Sequence, residues 1–296
     1  MNVQNKALLA YLSVCFFWGS TYLAIKIGVK VFPPFMFAAI RFLIAGGIVV
    51  GYAKWRGHAF PIESKNILRI SLIGILLLVG GNGLVVIAEQ WVPSGIASLV
   101  IACVPLFIAV IEIFILKLKK MNPIGFIGLI MGFSGVAYLA LSNGTSGTIS
   151  ITGILILLSA SLFWSIGSVY SKTFDPGSSI VANIGIQMLA GGMVLLLLGV
   201  FTGEISHITW SKNGVLSITY LIIFGSIVGY SSYIYVLQKW PASRVGTYAY
   251  VNPVVAVFLG FVVLGEPVTP TVVVSMFVIL CGVMLVQKAK IEDVNT

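Results

Sequence analysis

Charge is what this chain has least of. Only 8% of its 296 residues are Asp, Glu, Lys or Arg, against 59% hydrophobic, whereas a soluble domain devotes about a quarter of its residues to charge to keep its surface wet. A mean hydropathy of +1.09 therefore points to an integral membrane protein. Acidic side chains are scarcest, eight against seventeen basic ones, and no span carries paired carboxylates. No H-E-x-x-H and no Ser within reach of a His occurs in a span either, which argues against an intramembrane enzyme. The two histidines, His58 and His207, fall in loops without metal or triad spacing. Cys15, Cys103 and Cys281 are an odd set without C-x-x-C spacing, each inside an apolar run, and read as small buried residues rather than metal or redox ligands. No G-x-x-x-x-G-K-[ST] is present, so ATP hydrolysis is not expected and any coupling must come from an ion or solute gradient; no cofactor is expected.

What the chain has in abundance is apolar runs of the length that crosses a bilayer, about 20 residues each. The runs and their punctuation give ten spans, at 7–27, 35–53, 67–88, 96–116, 124–142, 151–171, 180–201, 215–236, 245–264 and 270–287. The first resembles a signal peptide, but no A-x-A site follows it, so it is read as an uncleaved span. The gaps are short and full of breakers, such as "FPP" at 32–34, "VPSG" at 92–95, "SNGTSGT" at 142–148 and "EPVTP" at 266–270. The expected fold class is an all-α integral membrane protein, since β-barrel strands would alternate over about ten residues.

The basic excess, +9 in net charge, could suggest a nucleic-acid partner, but it lies in the gaps and reports topology instead. With residue 1 in the cytoplasm, Lys6, Lys54, Arg56, Lys65, Arg69, Lys117, Lys119, Lys120, Lys172, Lys239, Arg244, Lys288 and Lys290 fall inside. Only Lys26, Lys30 and Lys212 fall outside, and Arg41 lies within a span. Both termini are therefore expected in the cytoplasm.

The chain also repeats itself. "FFWGSTYLAIK" at 16–26 returns as "LFWSIGSVYSK" at 162–172, "IRFLIAGG" at 40–47 as "IQMLAGG" at 186–192, and Gln90, Pro93 and Pro105 as Gln238, Pro241 and Pro253. The expected organisation is two five-helix copies, 1–148 and 149–296. Five is odd, so the second copy enters the membrane from the opposite side, the inverted-topology repeat of many secondary transporters. Pro105 and Pro253 remove amide donors near the middle of the fourth and ninth spans, at matching repeat positions. Such paired interruptions mark a binding site or, singly, a packing kink.

Trp18 and Trp164 fall near span centres at equivalent positions, where each indole N–H needs a partner. They read as two walls of one cavity, or as rings packed between helices. Tyr22 lies one turn from Trp18, but its counterpart is Ser168. Tyr248 and Asn252 share a face beside Pro253, and Asn82 and Tyr230 are equivalents in the third and eighth spans. All four are candidates for binding solute or for interhelical glue. Arg41 is read as pairing with Glu89 or binding a substrate carboxylate. Glu112 is read as titrating in a proton cycle or snorkelling towards Lys117 or Lys119. Lys26 and Lys172 are read as solvated helix ends, Glu266 as fixing an outer loop, and Gly128, Gly132, Gly135, Gly225 and Gly229 as small-residue faces.

These features, with "LGEPVTPTVVVSMFVILCGVMLV" at 264–286, resemble the ten-helix drug/metabolite transporter superfamily, specifically its EamA-like branch, over essentially the whole chain. The resemblance implies a five-plus-five inverted repeat around a central cavity, and export of amino acids or related metabolites across the inner or plasma membrane of a bacterial cell. Members differ in whether they use a proton gradient, so protons are a candidate partner beside the solute and the bilayer, and the chain is expected as a monomer or homodimer. The alternatives are a multidrug or cation exporter, a channel-like facilitator, a non-transporting sensor and an intramembrane enzyme.

Overall fold

The computed structural model describes residues 3–116, 119–142, 150–289 and 291–293. The 142–148 breaker run lies almost entirely, and Lys117 wholly, outside the described residues. Among the described residues ten helices are long and apolar enough to cross a membrane: α1 (Gln4–Gly28), α2 (Pro34–Trp55), α3 (Ser64–Ala88), α4 (Ser94–Ile115), α5 (Pro123–Leu141), α6 (Ile151–Tyr170), α7 (Ile180–Phe201), α8 (Lys212–Lys239), α9 (Gly246–Leu264) and α10 (Pro270–Lys288). Each coincides with an expected span, with ends displaced by up to three residues. Pro34, Pro123 and Pro270 open their helices, where the missing N–H costs nothing. Elsewhere the first-turn donors are satisfied by caps: Ser150, Ser179 and Ser211 accept from the amides of Gly153, Ala182 and Gly214. These local bonds matter more in lipid, where no water is available to take up an orphan donor.

The two halves of the chain lie against one another as matched pairs. α2 runs along α7 and α5 along α10, and glycines set the closeness of both contacts. A Cβ on Gly282 would lie 2.6 Å from the Gly132 Cα, and one on Gly46 would lie 2.9 Å from the Met188 Cβ. Helices without a hydrophobic drive to associate depend on such backbone approach. The outer faces of these pairs expose Ile130, Phe277, Ile48 and Leu197, as a lipid-facing surface should.

Four helices depart from regular α geometry, in two repeat-related pairs. α3 widens to π-helix at Ile75–Gly83, and α8 does so at Leu221–Tyr230. α4 is interrupted between Ile101 and Val104, just before Pro105, while α9 opens with a 3₁₀ turn at Gly246–Tyr250 before resuming at Asn252–Leu264. Beside the first interruption, the Ser165 hydroxyl donates to the Val104 carbonyl at 3.1 Å, so a neighbouring helix takes up part of the disturbed backbone. Among the described residues a short antiparallel pair, β1 (Lys119–Met121) with β2 (Ile291–Asp293), ties the α4–α5 connection to the C-terminal tail.

Candidate functional site

At the centre of the bundle α1, α2, α3, α4, α6, α8 and α9 enclose a cavity of about 50 Å³. Trp18, Tyr22, Arg41, Asn82, Trp164, Tyr230 and Tyr248 all line it, so seven of the residues singled out in the sequence converge on one space. The repeat explains the convergence. α1 and α6 are equivalent helices inserted in opposite directions, which brings the Trp18 and Trp164 rings edge to face, with centroids 5.3 Å apart.

Tyr248 stands edge-on to Trp18 at 5.3 Å, and Tyr233 packs between both indoles, 5.0 Å from Trp18 and 5.3 Å from Trp164. Each indole N–H has found a partner. Trp18 donates to the Gly225 carbonyl at 3.2 Å, an acceptor in the widened turn of α8, and Trp164 donates to the Tyr233 hydroxyl at 3.0 Å. Tyr233 in turn hydrogen-bonds the Ser168 hydroxyl at 2.7 Å. A Cβ on Gly229 would sit 2.5 Å from the Trp18 Nε1, so Trp18 needs a glycine there.

Arg41 is the one charged residue in the cavity wall, and it is 2% exposed. Its Nε donates to the Ser226 hydroxyl at 2.7 Å and its Nη1 to the Asn82 side-chain oxygen at 3.2 Å. Nη2 packs over Gly225 and has no hydrogen-bond partner among the described residues. The expected pairing of Arg41 with Glu89 is not formed. Arg41 turns to Asn82, two turns short of Glu89 on α3, so its positive charge meets only neutral groups.

Position 187 is the repeat counterpart of Arg41, and Tyr230 is that of Asn82. The structure joins this second pair as well, with the Tyr230 hydroxyl donating to the Gln187 side-chain oxygen at 2.8 Å. Beyond that bond lies a second hollow of about 320 Å³, lined by Gln187 together with Ser171, Lys172, Asp175, Asn183 and Gln238. It is the polar space at the end of the bundle that carries the Lys172 terminus of α6. The Gln187–Tyr230 contact separates it from the aromatic cavity.

The remaining candidates lie elsewhere. Asn252 is buried without a hydrogen-bond partner for either side-chain atom and does not line the cavity. Pro105 and Pro253 do not line it either. A Cβ on Gly246 would lie 3.1 Å from Pro105, so the two helix interruptions approach one another, and each lends a residue to the cavity wall, Ile101 and Tyr248. Glu112 sits in the last turns of α4, also away from the cavity. Lys26 is partly buried, whereas Lys172 is an exposed helix end. Lys26 donates to the carbonyls of Glu89 and Val92 at 2.5 and 2.9 Å, and Lys172 to that of Trp240 at 2.7 Å. Val92 and Trp240 are repeat counterparts, so each lysine ties its helix to the equivalent turn. Glu266 accepts from the Ser94 amide at 2.8 Å, the Ser94 hydroxyl at 2.9 Å and the Gly95 amide at 3.2 Å, holding the start of α4. Outside the spans, the Glu204 carboxyl is pushed up by partial burial and pulled down by the Met36 amide that donates to it at 2.9 Å.

Tyr233, Ser226 and Gln187 were not foreseen. A signal for Gln187 was present in its alignment with Arg41, whereas the others depend on how widened helix α8 rotates against its neighbours.

The comparisons with known proteins agree with this architecture. The inner membrane transporter YedA of Escherichia coli (strain K12) is 38% identical over 275 residues, covering 92% of this chain and 88% of that protein. The transporter YvbV of Bacillus subtilis (strain 168) is 29% identical over 301 residues, covering 99% and 97% of the two chains. A crystal structure of a protein with 20% sequence identity superposes with a TM-score of 0.69 over 95% of this chain and 96% of that one, which shows the fold. The sequence pattern of the EamA-like transporter family matches residues 5–141 and again 151–287, and the chain belongs to that family as a multi-pass membrane transporter.

Proposed function

We propose that this transporter moves a small zwitterionic metabolite, an amino acid or a close relative, across the inner or plasma membrane of a bacterial cell by alternating access to the aromatic cavity. The observation that carries the reading is Arg41: a buried guanidinium in the cavity wall, held by neutral groups and with Nη2 unengaged. A buried charge without a counter-charge is costly, and a substrate carboxylate is the counter-ion that would complete it through a charge-assisted hydrogen bond. The faces of Trp18 and Tyr248 suit the ammonium end of the same molecule. At about 50 Å³ the cavity holds a few waters rather than an amino acid, so loading requires one end to open.

The polar hollow beyond Gln187 and Tyr230 supports a path to one membrane face. With the positive-inside orientation, that face is cytoplasmic, and solute entering there would part the Gln187–Tyr230 contact to reach Arg41. Both termini then lie in the cytoplasm, and the two five-helix repeats 1–148 and 149–296 rock about the cavity. Because direction follows the gradients imposed, net export is one mode of such a carrier.

An aromatic cage by itself also favours organic cations, the multidrug reading, but the Arg41 charge repels them. A competition assay on reconstituted protein separates the two. Amino acids, their decarboxylated amines and ethidium-type cations are offered against radiolabelled amino acids. The carboxylate-bearing zwitterions should compete best, and stronger competition by the amines or by ethidium would refute the reading.

A further inference from the structure

Glu89 follows α3 directly and is 0% exposed, with neither carboxylate oxygen hydrogen-bonded. The repeat makes this position unusual. Gln90 corresponds to Gln238, so Glu89 corresponds to Leu237, which is 1% exposed. The first half of the chain thus places a carboxyl in a slot that the second half fills with an aliphatic side chain. Nothing in the slot demands an acid for packing. Nor does the nearby cation hydrogen-bond it, since Lys26 places two of its three donors on the Glu89 and Val92 carbonyls.

The location connects this carboxyl to the cavity. Asn82 and Val85 both line the cavity, and Glu89 caps the same helix four residues beyond Val85. Glu89 is about 10 Å along the axis from Asn82, on which Arg41 rests. Tyr22, another lining residue, lies within the electrostatic reach of Glu89. The titratable and charged groups facing Glu89 are Tyr22 and Lys26 from α1 and Glu266 from the α9–α10 connection, with Arg41 of α2 deeper along the wall. α6 brings none in its first half.

We propose that Glu89 is the proton-binding site of the transport cycle, loaded with a proton while the cavity is closed at the Lys26 end and unloaded when that end opens to water. In the closed form the carboxyl is dry and without a donor, so its neutral state is the one compatible with the structure. Burial holds it well above the ordinary carboxylate range; the Lys26 ammonium pulls it down, and the Glu266 charge pushes it up. A group raised in the closed form stabilises that form at low pH, and the contribution disappears as pH rises through the raised value. When the end opens, water solvates the carboxyl, Lys26 stands beside it, and the proton passes to the solvent. Like charges on one wall disfavour each other, so a proton on Glu89 favours a solute carboxylate on Arg41. Proton and solute are therefore carried together.

This inference uses the cavity of the proposed function, but its first readout needs no solute. Infrared difference spectra of the full chain in liposomes, taken between acid and alkaline pH, should show a protonated-carboxyl stretch that is absent from Glu89→Gln and from Glu89→Leu. The second variant copies the residue at position 237 and so should fold. In proteoliposomes tested with individual radiolabelled amino acids, wild type should accumulate label under a pH gradient. Both variants should lose that accumulation while retaining exchange of label against unlabelled amino acid. No Glu89-dependent carboxyl band overturns the inference, and so does accumulation in Glu89→Gln equal to wild type. If wild type moves no amino acid at all, the substrate reading fails, and the infrared band alone decides the role of Glu89.

Discussion

Replacing Arg41 by Gln should move stability and function in opposite directions. The guanidinium is 2% exposed and bonded only to Ser226 and Asn82. Holding a cation at this depth costs roughly 2.5 to 3.5 kcal/mol by insertion scales, and two hydrogen bonds to neutral partners return about 1 kcal/mol each. A glutamine amide can keep one of those bonds without the desolvated charge. The balance favours the variant by about 2 kcal/mol, which for a chain of this size raises the melting temperature by about 4 to 8 °C. Binding should go the other way. A hydrogen bond to a charged group contributes about 1.5 to 3 kcal/mol, so removing it should weaken a carboxylate-bearing solute by about 10- to 150-fold. Trp18 and Trp164 are inside the cavity, and quenching of their fluorescence by amino acids gives the affinity, with thermal melts of the same samples giving stability. A melting temperature several degrees below wild type together with unchanged affinity would show that Arg41 is a structural strut, and would refute the reasoning.

Other positions give independent tests. Trp18→Ala and Trp164→Ala should insert and express as wild type does but transport poorly, and unchanged transport in both would mean the indoles merely pack. Tyr230→Phe keeps the ring but loses the 2.8 Å bond to Gln187. It should make cysteine probes placed in the cavity react faster from the polar-hollow side, as measured by labelling rates. Gly229→Val would drive a side chain into Trp18, since even a Cβ there lies 2.5 Å from its Nε1, and should abolish transport with a smaller loss of melting temperature. Glu266→Ala leaves the Ser94 and Gly95 amides without their acceptor and should cost about 1 to 2 kcal/mol in unfolding titrations, with the substrate preference unchanged.

The spans were readable because the bilayer imposes a length and because breakers mark the ends. Pro34, Pro123 and Pro270 open helices within one residue of the expected span starts at 35, 124 and 270. The pairing of Trp18 with Trp164 was readable for a different reason: a repeat of odd helix number turns sequence equivalence into facing positions. What stayed hidden depends on helix rotation and side-chain reach. The widened turns at Ile75–Gly83 and Leu221–Tyr230 shift every later residue around the helix axis, so a regular α pattern does not reveal that Ser226 meets Arg41 or that Tyr233 meets both indoles. Lys26 departs from its expected solvation for a related reason. At a helix end a lysine normally snorkels to water, but here the carbonyls of Glu89 and Val92 lie within its reach. Asn252 shares a helical face with Tyr248 on paper. The 3₁₀ turn at Gly246–Tyr250 separates them, so that only Tyr248 reaches the cavity.

The central claim is that a carboxylate-bearing zwitterion crosses through the cavity between Arg41 and the paired indoles. Counterflow tests it most directly: proteoliposomes loaded with an unlabelled amino acid are diluted into trace radiolabelled amino acid, so that a carrier concentrates label transiently without any ion gradient. Wild type should show this overshoot, and Arg41→Gln should lose it for amino acids. Label that only equilibrates, or an overshoot of the same size in Arg41→Gln, would contradict the account.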